Sequence, residues 1–279
     1  MFEIGKINRL EAIRTSPHGM YLGDKNSRAT VLLPNKYVPK DLEIGNEIEV
    51  FIYKDSEDLP IATTLIPKIQ INEFACLKVV DINKFGVFLD WGLEKDLMVP
   101  FSEQNRKMQK GNYYLVYLFL DEESDRLVAS CKIEHFLDRE PAGLETGQQV
   151  DLLVGDSTDI GVNVIVDNRY KGLLYHNEIY RDLRAGERVT GYIKTVRDDK
   201  KIDVSLQIPG HRQMDTDAKQ ILDYLNNNDG YMRLNDQSHP DEIRDRLQMS
   251  KKAFKKAVGN LYRDRKIVLE EEGIRLIRS

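Results

Sequence analysis

Apolar and polar positions along the chain fall into three blocks of the same design, followed by a fourth with a different period. Gly19, Gly86 and Gly161 each open a short apolar run: Gly19-Met20-Tyr21-Leu22, Gly86-Val87-Phe88-Leu89 and Gly161-Val162-Asn163-Val164. A leading strand precedes each, over 4–13, 74–82 and 150–154, and a second follows each, over 29–34, 97–100 and 172–175. A polar connection then ends in a second glycine, Gly45, Gly111 or Gly186, about 25 residues after the first in every copy. The next segments, 48–53, 113–120 and 189–196, read as alternating strands broken by Asp55, Asp121 and Asp198. Last strands over 59–65, 126–130 and 201–206 complete the units. Five short strands with turn signals between them predict a small antiparallel barrel, whose closure removes exposed sheet edges.

The period changes after Pro209-Gly210. Ala218, Ile221, Leu222 and Leu225 have helical spacing, ended by Asn226-Asn227-Asn228-Asp229-Gly230. Ser238-His239-Pro240-Asp241 predicts a second helix start, with Ser238 as the capping residue, and the helix carries Ile243 and Leu247. Ser250 predicts the cap of a third helix, with Phe254, Ala257, Val258, Leu261 and Tyr262 as its apolar stripe. Residues 266–269 and 274–277, joined by a turn at 270–273, read as a hairpin. Three helices and a hairpin make a winged helix-turn-helix, in which the third helix is the usual recognition element.

The predicted fold class is therefore mainly β with a small α+β C-terminal domain. Three tandem five-stranded barrels span 1–67, 68–134 and 145–209, and a winged helix spans 212–279. Pro67 marks the first junction, and Pro141 and Gly143 the second.

The net charge of −5 counts against a simple basic nucleic-acid binder, because phosphate attraction dominates non-specific affinity. Nucleic-acid contact must then rest on local patches or on stacking. Between Arg244 and Lys266 positives exceed negatives by roughly seven, against an acidic remainder. On a helical projection Lys251, Lys252, Lys255, Lys256 and Arg263 share an arc beside the apolar stripe. That arc suits phosphates; a solvated helix face or a protein contact would use the same residues.

Phe85 and Phe88 flank Gly86-Val87 in the second block. On a regular strand, three-residue spacing puts them on opposite faces, unless Gly86 marks a bulge that re-aims one ring. Two readings stay open: a platform for stacking bases, or one core ring and one incidental ring. Lys84, Arg126 and Lys132 stand nearby as phosphate contacts or as solvated charge.

These motifs carry a resemblance. Phe85-Gly86-Val87-Phe88, then Leu97-Met98-Val99-Pro100, the Gly111 strand and the 121–130 hairpin resemble the S1-type RNA-binding domain, an OB-fold, which implies three tandem OB-fold, S1-like five-stranded barrels. The order of parts over nearly the whole chain is similar to the conserved virulence factor B family of bacterial RNA-binding regulators. The resemblance implies an RNA face made of two aromatics, a polar ring, and an acid and a base near the last hairpin. Phe85, Phe88, Asp121 and Arg126 match it in the second block, with Pro100 where a histidine is common. His18 and Tyr21 match partly in the first. Ile160 and Asn163 lose the pair in the third, where Tyr175 and Lys201 fall at the third-strand and basic positions. The second block is thus expected to bind RNA best, and the third to be partly structural.

His18, His135, His176, His211 and His239 are scattered, and no P-loop, GxGxxG or GxSxG occurs, so no catalysis, metal or other cofactor is expected. Cys76 and Cys131 lack CxxC spacing and read as small apolar residues in a reducing compartment. No secretion signal or apolar stretch of membrane length is seen, so a cytoplasmic protein without membrane contact is expected. The expected partner is single-stranded RNA rather than a small-molecule substrate. A scaffold docking on ribosomal or transcription machinery is the competing reading.

Overall fold

The structure, a computed structural model, describes residues 2–24, 29–179, 181–207 and 211–277, the first five of the last segment by backbone alone. Met1, the Pro209-Gly210 break, the His211 side chain and Ser279 lie outside the described residues. The chain divides into two compact units, Met1–Leu137 and Asp138–Ser279, each taken by itself.

In the first unit β1 (Ile7–Ser16), β2 (Gly19–Gly23), β3 (Thr30–Pro34), β4 (Glu47–Lys54) and β5 (Pro60–Thr63) close into a barrel. The order is β1-β2-β3-β5-β4, with β3 and β5 parallel and the other pairs antiparallel. The same order recurs in β6 (Phe74–Ile82), β7 (Gly86–Asp90), β8 (Leu97–Pro100), β9 (Tyr113–Asp121) and β10 (Arg126–Ser130). Here β8 and β10 run side by side, and among the described residues no ladder joins them. In the second unit β11 (Gln149–Ser157), β12 (Gly161–Val166), β13 (Tyr170–Tyr175), β14 (Arg188–Val196) and β15 (Ile202–Ser205) form another closed barrel.

One steric device explains why glycines mark the repeat. A Cβ on Gly19, Gly86 or Gly161 would lie 2.0, 2.6 or 2.3 Å from a carbonyl oxygen on the neighbouring strand, of Leu33, Val99 and Leu174 respectively. Only a residue without a side chain lets those strands meet. The second glycines, at φ of +93°, +90° and +88°, occupy the left-handed region that the turn requires. Their N–H groups donate to Ala12, Val79 and Val154 at 2.8, 2.9 and 2.7 Å. Those three residues each open a β-bulge in the leading strand. The bulge of the second barrel is therefore in β6, not at Gly86, whose role is close approach.

The segment 48–53, read as alternating, departs from alternation. Val50, Phe51, Ile52 and Tyr53 are all buried. Val50 and Ile52 face the first barrel's core, while Phe51 and Tyr53 face the second barrel's. Trp91 meets both rings edge-on, 5.6 Å from Phe51 and 6.2 Å from Tyr53. The two barrels thus share one apolar cluster. Ion pairs of Lys54 with Asp125, Arg126 with Asp58 and Lys36 with Glu94 rim the contact.

The rest of the second unit is α1 (His211–Asn227), β16 (Tyr231–Met232), α2 (Pro240–Leu247), α3 (Lys251–Arg263), β17 (Ile267–Glu270) and β18 (Gly273–Leu276). This is a winged helix; β16, absent from the sequence reading, adds a strand beside β18. Ser250 caps α3, its hydroxyl accepting from the Ala253 N–H at 3.1 Å. The cap of α2 is His239, not Ser238: its Nδ1 accepts from the Asp241 N–H at 3.3 Å. Ser238 instead accepts from Asn235 with its hydroxyl, closing the preceding turn. Phe254, Ala257, Val258 and Leu261 are buried, but Tyr262 is 55% exposed, at the edge of the stripe. Asp217 on α1 is a buried carboxyl, 5% exposed. Burial pushes its pKa up to about 6, partly offset by Lys256.

Four expectations follow from this packing. Gly161→Ala forces a methyl against the Leu174 carbonyl and is expected to cost about 1–3 kcal/mol in urea unfolding. Phe51→Ala, which empties the shared cluster, is expected to cost about 3–5 kcal/mol. Arg126→Ala, which removes a half-exposed ion pair, is expected to cost much less in the same measurement. Asp217 binds its proton more tightly folded than unfolded, so its penalty is absent below pH about 4 and grows until pH about 6. Asp217→Asn is therefore expected to stabilise the chain above pH 6, by at most about 3 kcal/mol, and to leave acid stability unchanged. Thermal unfolding across that pH range measures it.

Candidate nucleic-acid interface

Strand alternation in the second barrel sends Val87, Leu89, Leu97 and Val99 inward and leaves Phe88 and Met98 half-buried on the outer face. Phe88 and Met98 are direct register partners across the β7–β8 ladder. Phe85 lies outside the strand, in a tight turn where its N–H donates to Asn83 Oδ1 at 2.9 Å. The alternation argument therefore does not reach it, and its ring is 65% exposed. Both rings line one groove of about 580 Å³. Lys84 Nζ stands 4.9 Å from the centre of the Phe85 ring.

The groove's other wall comes from the first barrel. Tyr53 and Lys54 of β4 face Trp91, Lys95 and Met98 across it. Sequence reasoning missed these residues. The unbroken run Val50-Phe51-Ile52-Tyr53 was the available signal, since a strand buried on both faces loses its alternation.

Three cations line the groove, and all three are engaged between the barrels. Arg126 grips Asp58 with two nitrogens, Nε at 2.8 Å from Oδ1. Lys95 donates to the carbonyls of Asp55 at 2.6 Å and Lys54 at 3.2 Å. Lys54 pairs with Asp125. The hydrogen bond from Arg126 holds the Asp58 carboxyl below its usual range. Asp121 turns to its own hairpin, accepting from the Ser124 hydroxyl and N–H, which also lowers its pKa. Asp121 and Arg126 thus sit opposite each other in the ladder, with side chains committed elsewhere.

The other sequence-predicted residues are dispersed. In the first barrel His18 is exposed, and the Arg14 guanidinium covers Tyr21 at 3.7 Å. In the third, the Tyr175 hydroxyl accepts from Arg197, which also pairs with Asp203. Lys201 pairs with Asp199 at 2.9 Å. On α3, Lys251 donates to the Ser238 carbonyl at 2.8 Å, and Lys255 is 3.9 Å from Asp236. Arg263 donates to Asn260 at 2.8 Å. Lys252 and Lys256 are exposed, the latter acting on buried Asp217. A polar cleft of about 470 Å³, between Arg181 and Arg244 in the second unit, was not foreseen.

Comparison with known proteins agrees with this architecture. The chain matches the S1 domain family over residues 4–65 and 73–132, and the CvfB-like winged helix domain over residues 219–276. Both domain types point to nucleic-acid binding. The chain is 33% identical over 264 residues to the uncharacterized protein YitL of Bacillus subtilis (strain 168), covering 90% of this chain and 86% of that protein. It is 26% identical over 284 residues to Conserved virulence factor B of Staphylococcus aureus (strain USA300), covering 99% and 95%. A crystallised multidomain protein with nucleic acid binding domains from Streptococcus pneumoniae TIGR4 aligns over 98% of both chains, at 24% identity and a TM-score of 0.41. With the S1 and winged-helix matches and the YitL and Conserved virulence factor B sequences taken together, the chain belongs to the conserved virulence factor B family.

Proposed function

We propose that the protein binds single-stranded RNA in the groove of the second barrel, and thereby acts on transcripts after their synthesis. One observation carries the reading: Phe85 and Phe88 present their rings to a single groove, and Phe85 is largely open to solvent. Unpaired bases stack on such rings at about 1–3 kcal/mol each, with little regard to sequence. Stacking suits a chain of net charge −5 whose groove cations are already engaged. Lys84, exposed beside Phe85, is positioned to meet phosphate at the groove, and Lys252 on α3 is a further exposed cation of the second unit. In the third barrel, where Ile160 and Asn163 replace the rings, the role is partly structural. Both cysteines remain thiols, which suits a reducing cytoplasm.

The engaged cations also favour a second reading, docking on ribosomal or transcription machinery. A pull-down that survives nuclease treatment would support it against the first. For RNA, the double variant Phe85→Ala, Phe88→Ala is expected to lose at least about tenfold in filter-binding affinity for a short oligouridine. Wild-type affinity in that variant would remove stacking from the account.

A further inference from the structure

Once Lys54, Lys95 and Arg126 are assigned to the contact between the barrels, one charged side chain lining the groove is left over: Asp96. It precedes β8, two residues from Met98 but outside the strand, and it lines the same groove as Phe88 and Met98. Among the described residues no cation pairs with it; its charged neighbours are Asp90 and Asp81. Asp90 is itself held by Lys68. Asp96 is exposed to solvent at the groove, and partial desolvation, followed by these two acids, raises its carboxyl above the usual range.

An unpaired acid beside stacking rings has a definite chemistry. It repels phosphate, so RNA gains from it only where a donor, a ribose hydroxyl or a base edge, turns toward it. An ionised carboxylate accepts and does not donate, and its two oxygens suit a pair of adjacent N–H donors. Uracil offers one ring N–H on its Watson–Crick edge, and adenine and cytosine one amino group each. Guanine offers a ring N–H and an amino group side by side. Single-stranded RNA leaves that edge free to be read while the base is stacked.

We propose that Asp96 makes the groove selective for guanine, accepting two hydrogen bonds from a guanine stacked at Phe88. The inference rests on the reading of the groove as an RNA site and adds to it the preferred base.

The test uses the full chain and fluorescence anisotropy with labelled heptauridine carrying one central G, inosine, A or U. The wild type is expected to bind the G oligonucleotide at least about tenfold more tightly than the A or U ones. Inosine, which keeps the ring N–H and lacks the amino group, is expected to fall between. In Asp96→Asn and Asp96→Ala the advantage of G should shrink to within about twofold, with affinity for the all-U oligonucleotide kept or raised. Equal wild-type binding of all four oligonucleotides would overturn the selectivity and leave stacking standing. A preference for G that survives both substitutions would overturn the role of Asp96. No binding of any oligonucleotide would remove the RNA reading and this inference together. Capture of an arginine-rich peptide instead, lost in Asp96→Asn, would give the groove to a protein partner and overturn both.

Discussion

The first unit depends on Trp91 reaching out of the second barrel to meet Phe51 and Tyr53 of the first. Each barrel has its own interior, but β4 contributes to two cores at once, one on each face. Burying rings of this size outweighs the exposed ion pairs around them, which are screened and costly to order. The pairs matter in another way: they fix orientation, and they occupy the cations that a free barrel would offer to phosphate. The cluster therefore builds the groove's second wall and sets its charge.

Much of the architecture was legible in the sequence, because its determinants are local. The glycines at 19, 86 and 161 and at 45, 111 and 186 mark sites where sterics or a left-handed turn leave little choice. The helical stripe of α3 and its Ser250 cap follow from spacing. The failures lie where turn hydrogen bonds or the width of the buried face, rather than period, decide. Whether His239 or Ser238 caps α2 depends on which of them Asn235 engages. Tyr262 fits the stripe by period but lies beyond the width of the buried face. Phe85 escapes strand alternation because the Asn83 turn ends before the strand begins.

The candidate site was half legible for the same reason. Its rings could be named from the Phe-Gly-Val-Phe motif, since both stand on one short segment. The partners of its charges could not: Arg126 and Asp58 are 68 residues apart, and Lys54 and Asp125 71. No periodicity relates such positions. A residue that reads as a phosphate contact in one barrel becomes, in the folded pair, a fastening to its neighbour.

The paired glycines and the bulge they hold have a consequence for how such repeats can diverge. They act through backbone atoms at the seams of each barrel, away from the outward side chains of the second and third strands. A copy can then exchange Phe88 for Asn163 at the corresponding outward position and still close, as the third barrel does. Scaffold and outward surface are separately variable, so one molecule can keep several frames of one strand order while their outer faces drift apart.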